Sequence, residues 1–473
     1  MKIQLFSSGV ILFALLMITS CCGNPYSCAV QEAVDDGALS KEEAANLKQL
    51  FAENAEMELD SISDWSELID DILTQNDQMN RHEIEKIIYD IKTKVIVYLD
   101  NTYSMKGYAR ASDPRSFTSI LDAISTYYSA NPEIKIEACY VSKDNVAARV
   151  DFNDMCNNLT GHSWAKADKD KKDPYTDAYQ MNDLFGAISR MVKGSDVKKE
   201  EVICFFISDM IPSTENEKIR SDRQTMINYS ERIVTMMTDS IRQLSTADNI
   251  YSAALYQFFA PFGANNDAGI YYKYTNGHLL LHGEKRPLYV MAIGNKYAIS
   301  EWDEKVASAS GIRNFSYPNQ HHSFISGNKC DVKLNGYSVI ENERVVVIAD
   351  DNDKDAYINI DPKSLPSYMP VDSIIVTIDG NRLNVESDGR VKLGKINSVD
   401  GHILRIQVKD IIPEWIRNSS TEDDSNLIAS DGAGMAQTFY LERVFRSVIQ
   451  GLTNATGEIN LYDRSYTIEI TKQ

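Results

Sequence analysis

The stretch from Lys94 to Gly107, Lys-Val-Ile-Val-Tyr-Leu-Asp-Asn-Thr-Tyr-Ser-Met-Lys-Gly, constrains the fold more than any other part of the chain. Val95 to Leu99 is a short unbroken run of apolar and aromatic residues. Such a run reads as a strand covered on both faces, of the kind found in the middle of a parallel sheet. It stops at Asp100, and Asp100, Thr102 and Ser104 then set three hard oxygen donors at alternate positions. Gly107 follows and lets the backbone turn sharply. In an open α/β sheet ligands bind just outside the carboxyl ends of the strands. A carboxylate and two hydroxyls at such an end suit a small divalent cation such as Mg2+.

The chain from Lys94 onward alternates helical and strand patterns. An amphipathic helix is expected over 117–128, with Phe117, Ile120, Leu121, Ile124 and Tyr127 on one face. Strands are expected at 134–141 and 147–152, the second antiparallel to the first, then a polar loop over 157–178 and a helix over 184–192. Val202-Ile-Cys-Phe-Phe-Ile-Ser-Asp209 is a second apolar strand that ends in an acid. A long helix follows at 223–244, with Met226, Ile233, Met236, Met237 and Ile241 as its apolar stripe. Strands at 251–262 and 287–293 flank a Tyr-, Gly- and His-rich hairpin, and a closing helix begins at Ser300. This alternation predicts a doubly wound, mostly parallel sheet.

Asp100, Thr102, Ser104, Met105 and Gly107 resemble the metal-ion-dependent adhesion site of von Willebrand factor A-like domains, Asp-x-Ser/Thr-x-Ser followed by Met-x-Gly. The resemblance covers about residues 93–315. It implies a further acid at the end of the next central strand, where Asp209 stands. It also implies a Thr from a second loop. Aligning Ala187-Ile188 with the family's Ala-Leu pair puts Asn182 there, with Thr176 six residues earlier as the alternative. The implied metal ligands are therefore Asp100, Thr102, Ser104, Asn182 (or Thr176) and Asp209, the implied cofactor is Mg2+ with Mn2+ or Ca2+ as alternatives, and the implied partner is a protein that offers an acidic side chain.

The start of the chain carries an apolar run, Gly9 to Ile18, behind Lys2, too short to span a bilayer. Ile18-Thr-Ser-Cys21 resembles a bacterial lipobox, which implies cleavage before Cys21 and its lipidation. The expected location is the cell envelope, outer membrane favoured, with the lipid as the membrane attachment. A net charge of −20 argues against nucleic acid, which calls for a basic footprint. Of the seven cysteines, Cys139 and Cys204 sit in strand-like runs and read as buried free thiols. Residues 25–93 read as helical, with runs at 63–73 and 81–91, and Ser40-Lys-Glu-Glu43 has the form of a capping box.

From about Cys330 the pattern changes to short strands between turn signals, among them Asp379-Gly380 and Asp388-Gly389. An all-β, immunoglobulin-like module is expected, with one helix near 439–452 and a last strand near 466–470. The expected organisation is a signal peptide over 1–20, a helical segment over 21–92, a von Willebrand factor A-like α/β domain over 93–329 and a β-rich module with one helix over 330–473. No enzymatic activity is expected. Asp100-Asn-Thr only loosely resembles the aspartyl-phosphate loop of metal-dependent phosphatases, which want a second Asp where Thr102 stands. His162, His278, His282, His321 and His322 have no Gly-x-Ser-x-Gly nucleophile to serve, and the His321-His322 pair reads as a surface turn. The expected function is cation-mediated binding of a protein partner by a lipid-anchored exported protein. The alternative is a scaffold lipoprotein with a degenerate metal site.

Overall fold

The structure is a computed structural model. It describes residues 25–36, 39–52, 86, 90–102, 104–111, 113–141, 147–159, 174–175, 200–211, 222–243, 251–263, 272–274, 277–279, 284–303, 320–324, 332–336, 338–349, 355–365, 371–422, 437–453 and 458–472. The signal and lipobox region with Cys21, the helical runs at 63–73 and 184–192, and both Thr176 and Asn182 lie outside the described residues; of the run at 81–91 only Lys86, Asp90 and Ile91 are described. Contacts divide the chain into two compact units, Met1–Thr93 with Asp196–Glu201, and Lys94–Ser195 with Val202–Gln473.

In the first unit two helices pack together, α1 (Pro25–Ala33) and α2 (Lys41–Ala52). The capping box forms as its spacing requires. The Ser40 amide donates to Glu43 Oε2 at 2.8 Å, and the Glu43 amide donates to Ser40 Oγ at 3.2 Å. Two otherwise orphaned amides are thereby satisfied.

The larger unit begins with a seven-stranded sheet. Its strands are β1 (Lys92–Leu99), β2 (Lys135–Val141), β3 (Ala147–Val150), β4 (Glu200–Ser208), β5 (Tyr251–Phe262), β8 (Glu284–Asn295) and β9 (Gln320–Phe324), in the order β3-β2-β1-β4-β8-β5-β9. The short ribbon β6 (Tyr272–Tyr274) with β7 (Gly277–Leu279) interrupts the β5–β8 connection, as the hairpin pattern anticipates. The β1–β2 pair is parallel. The Asp100 amide donates to Ile207 O at 2.9 Å, so the carboxyl ends of β1 and β4 lie side by side. β3 is antiparallel to β2, and β8 is antiparallel to both β4 and β5. The sheet is thus mixed rather than mostly parallel. The cause is local: the chain returns from β5 through a hairpin, not through a helical crossover, and only a crossover brings a strand back parallel.

Side chains alternate across this sheet and bury both faces. Val95, Val97, Leu99, Ile203, Phe205 and Ile207 point to one layer, with α3 (Lys106–Ala109), α4 (Arg115–Tyr128), α5 (Phe152–Asn158) and α7 (Lys296–Trp302). Ile96, Tyr98, Val202, Cys204 and Phe206 point to the other, where α6 (Arg223–Arg242) lies. α5, α6 and α7 start at the side-chain caps Asp151, Asp222 and Asn295. The Asn295 cap starts α7 at Lys296, ahead of the expected Ser300. On α6, Met226, Ile233, Met237 and Ile241 are buried as expected, but Met236 is 42% exposed. The buried residues, with Ser230, follow a three-four spacing, and Met236 falls one step off it. The His321-His322 pair is not a surface turn. It lies in β9, paired to β5, with His322 buried and His321 stacked on Tyr256.

The strands after residue 330 form a separate core. β10 (Ser338–Glu341), β11 (Arg344–Ala349), β13 (Ile374–Ile378), β14 (Asn381–Leu383), β16 (Ile403–Ile411) and β19 (Glu458–Lys472) make a six-stranded sheet in the order β10-β11-β19-β16-β13-β14. A ribbon of β12 (Asp355–Asn359) with β15 (Arg390–Lys395) shares its core, which contains Val345, Ile358, Val376, Val391, Leu404, Ile406 and Ile468. Asp379-Gly380 makes the tight β13–β14 turn, both residues at positive φ. Between β16 and β19 the chain leaves this core. After α8 (Ile396–Val399) and β16 it forms α9 (Glu414–Asn418), the small parallel pair β17 (Ser420–Thr421) with β18 (Thr438–Phe439), and α10 (Leu441–Thr453). Leu441, Val444, Phe445, Val448 and Ile449 of α10 join Ile233, Met237 and Ile241 of α6 over the α/β sheet. Gly451 permits the close crossing, since a Cβ there would lie 2.7 Å from the Ile241 side chain and 2.8 Å from Thr238 O. β19 then returns to the β module between β11 and β16.

Candidate functional site

The two acids singled out in the sequence come together. Asp100 follows β1 and Asp209 follows β4, neighbours in the sheet, and both are buried, at 6% and 2% exposure. Asp100 is held from two sides. Its Oδ1 accepts from the Thr102 amide at 2.9 Å, and its Oδ2 accepts from Ser208 Oγ at 2.7 Å. Ser208 Oγ in turn accepts from the Met210 amide at 2.9 Å. Asp209 Oδ1 accepts from the Ile211 amide at 3.1 Å, around Met210 in the left-handed region at φ 57°. A non-glycine residue there is uncommon and marks a turn set by its surroundings. Burial, and after it the charge of Asp209, push the Asp100 carboxyl up to about 6. The Ser208 and Thr102 donors pull the other way and fall short.

The rest of the β1 loop is built for close approach. The hydroxyls of Thr102 and Ser104 lie 3.0 Å apart. Gly107 lies under Phe262 of β5, where a Cβ would fall 2.1 Å from the ring, and its carbonyl accepts from the Gly263 amide at 2.8 Å. Glycine is required at 107 by this contact, and the loop is pinned to the sheet through it. Asn101 is buried; its Nδ2 donates to Pro174 O at 2.8 Å, while its Oδ1 accepts no hydrogen bond from any described residue. Pro174 brings the chain to the site two residues before Thr176. Of the expected ligands, Asp100, Thr102, Ser104 and Asp209 are thus gathered at one edge of the sheet; Asn182 and Cys21 lie outside the described residues.

Sequence reasoning missed a positive charge here. Arg286 of β8 is 1% exposed, with its guanidinium 5.5 Å from the centre of the Phe262 ring. It hydrogen-bonds the phenol of Tyr108, whose O–H donates to Pro287 O at 2.6 Å. Burial holds the Tyr108 phenol well above its ordinary value; the Arg286 charge opposes that shift and the Asp209 charge adds to it. The Tyr289 phenol is raised by burial and feels the same two charges, as well as hydrogen bonds from Thr438 and Gln257. Gln257 Nε2 donates to Tyr289 Oη and Ser419 Oγ at 3.0 Å each, and Tyr289 Oη lies 2.8 Å from Thr438 Oγ1. Gln257, Tyr289, Ser419 and Thr438 thus form a hydrogen-bonded polar cluster beside the β17–β18 pair.

The donor set fits a hard divalent cation. Two buried carboxylates close enough to perturb each other call for positive charge, and the hydroxyls and the unpaired Asn101 Oδ1 supply neutral oxygens beside them. Among the described residues there is no group of three His, Cys, Asp or Glu side chains placed to hold a metal. Nor, among them, is any helix long and apolar enough to cross a membrane. No family model matches this chain, and no curated protein matches its sequence.

Proposed function

We propose that this protein is a lipid-anchored, exported binding protein that takes a protein partner through a divalent cation, with Mg2+ first and Mn2+ or Ca2+ as alternatives. Asp100, Thr102 and Ser104 hold the cation with Asp209, and Thr176 or Asn182 completes the set. The observation that carries the reading is the 3.0 Å separation of the Thr102 and Ser104 hydroxyls beside the buried Asp100. An octahedral Mg2+ with oxygens at about 2.1 Å has neighbouring ligands about 3.0 Å apart. We read the α/β part as a von Willebrand factor A-like domain. The β3-β2-β1-β4 order, the helices on both faces and the acids at two adjacent strand ends support this, and antiparallel β8 next to β4 departs from a parallel sheet. The shared core of the six-stranded sheet and the β12–β15 ribbon supports an immunoglobulin-like sandwich after residue 330, from which the parallel β11–β19 pair departs.

A cation held this way keeps a coordination position for a carboxylate of the partner. Calorimetric titration of the protein with Mg2+ and Mn2+ is expected to give binding that Asp100→Ala abolishes while the thermal transition survives. Absence of heat with either metal at millimolar concentration overturns the reading. It would then favour the second one, a scaffold in which Arg286 fills the place of the cation, which the burial of that arginine supports. Anchoring rests on Ile18-Thr-Ser-Cys21. Cys21→Ser is expected to release the protein from the detergent-extracted membrane fraction or to leave the precursor uncut; unchanged processing and retention would refute it.

A further inference from the structure

We propose that Arg286 is a built-in counter-cation for Asp209, and that it tunes the cation site toward a partner bearing a carboxylate. The inference rests on the cation site proposed above and concerns what that site selects. Asp209 follows Ile203, Phe205 and Ile207 in the alternation of β4 and so projects to their face of the sheet. Arg286 shares that face by the alternation of β8, with Leu288 and Val290. The register Ser208–Tyr289 sets Asp209 opposite Leu288, which puts Arg286 on the adjacent diagonal of the neighbouring strand. Both charges act on the same two phenols, Tyr108 and Tyr289. A fully buried guanidinium needs an anion, since an ionised group without one is expelled or costs several kcal/mol.

The consequence is a matter of net charge. Asp100 and Asp209 together carry two negative charges, and a divalent cation between them alone would be neutralised. Arg286 leaves the pair with one net negative charge, so the loaded site carries one positive charge. A carboxylate from the partner then closes the site at neutrality, in a buried setting where an excess charge of either sign is costly. The same arginine repels the metal, so affinity for the cation is lowered while affinity for the anion that follows is raised. This local excess of positive charge also explains how a protein of net charge −20 can draw in an acidic side chain, because beyond about 10 Å the remaining charges are screened by salt.

The test compares wild type, Arg286→Met and Arg286→Lys by Mg2+ and Mn2+ calorimetry, with and without acetate as the carboxylate probe, alongside metal-free thermal unfolding. Arg286→Met is expected to bind metal more tightly, on the order of tenfold, to lose the tightening that acetate gives the wild type, and to melt at lower temperature without metal. Arg286→Lys is expected to behave as the wild type. A packing role alone would lower stability and metal affinity together, so weaker or unchanged metal binding in Arg286→Met overturns the proposal. If Arg286→Met does not fold, the double variant Arg286→Met/Asp209→Asn decides: recovery of folding supports a charge pair, and continued failure overturns it. Metal binding by Arg286→Met but not by the wild type would support the counter-cation and refute the cation site of the native protein.

Discussion

Asp100 and Asp209 stand at the ends of two adjacent apolar strands and look interchangeable in sequence, yet they are held by different means. Asp100 is surrounded by neutral donors, the Thr102 amide and the Ser208 hydroxyl. Asp209 acts together with the buried Arg286 on two buried phenols and is followed by a left-handed Met210. The first carboxylate is thus under-compensated and the second is matched by a full charge. The difference teaches that two acids of one site can contribute to stability with opposite sign. Asp100 thus answers chiefly to the cation, whereas Asp209 serves both the cation and the fold.

The sharpest way to break this comparison is Asp209→Ala. It removes the anion and leaves Arg286 buried, so metal-free unfolding is expected to lose about 3–5 kcal/mol of stability. A loss under about 1 kcal/mol, read from urea midpoints at constant m, would show that Asp209 is no better matched than Asp100.

Asp100→Asn is expected to act in the opposite direction. The Asp100 carboxyl is raised to about 6, by burial first and by Asp209 second. A raised carboxyl binds its proton more tightly in the folded than in the unfolded chain, so stability falls as pH rises from about 4 through 6 and stays low above that. Asp100→Asn is expected to stabilise the metal-free protein at pH 7 by on the order of 2 kcal/mol and to flatten this window. Thermal melts from pH 4 to 7.5 in chelator would read it, and a parallel pH profile for the two proteins would contradict it. Ser208→Ala gives the smallest effect. It withdraws one donor from Asp100 Oδ2 and also an acceptor from the Met210 amide, for a loss of about 1 kcal/mol at pH 7. Most of the amide share should persist below pH 4; complete disappearance of the loss there would assign it all to the carboxylate.

The strand-end acids were legible because each closes an unbroken apolar run, a local signal. The capping box at Ser40, the Asp379-Gly380 turn and the buried free thiols Cys139 and Cys204 were legible for the same reason. Arg286 was not. The sequence pattern puts it at the end of the expected hairpin, just before the strand at 287–293, whereas β8 starts at Glu284 and its long pairing with β5 sets Arg286 opposite Ala260 and buries it. His322 was misread likewise, since its burial comes from pairing with Leu255, far back in the chain. The mixed sheet escaped because strand patterns carry no direction; whether the chain returns by a hairpin or a crossover decides it.

The position of β19 bears on how the polypeptide acquires its shape in time. β19 lies between β11 and β16, with Ile468 beside Val345 and Tyr466 beside Leu404. Its neighbour β11 lies more than a hundred residues earlier in the chain, and α10, packed over the α/β sheet, intervenes between β16 and β19. Until β19 enters between them, β11 and β16 each keep an open edge. Pairing across so long a separation is slow and leaves those edges exposed to other chains meanwhile. Loss of residues 458–472, a small fraction of the sequence, would leave the sheet divided at its centre rather than trimmed at its rim.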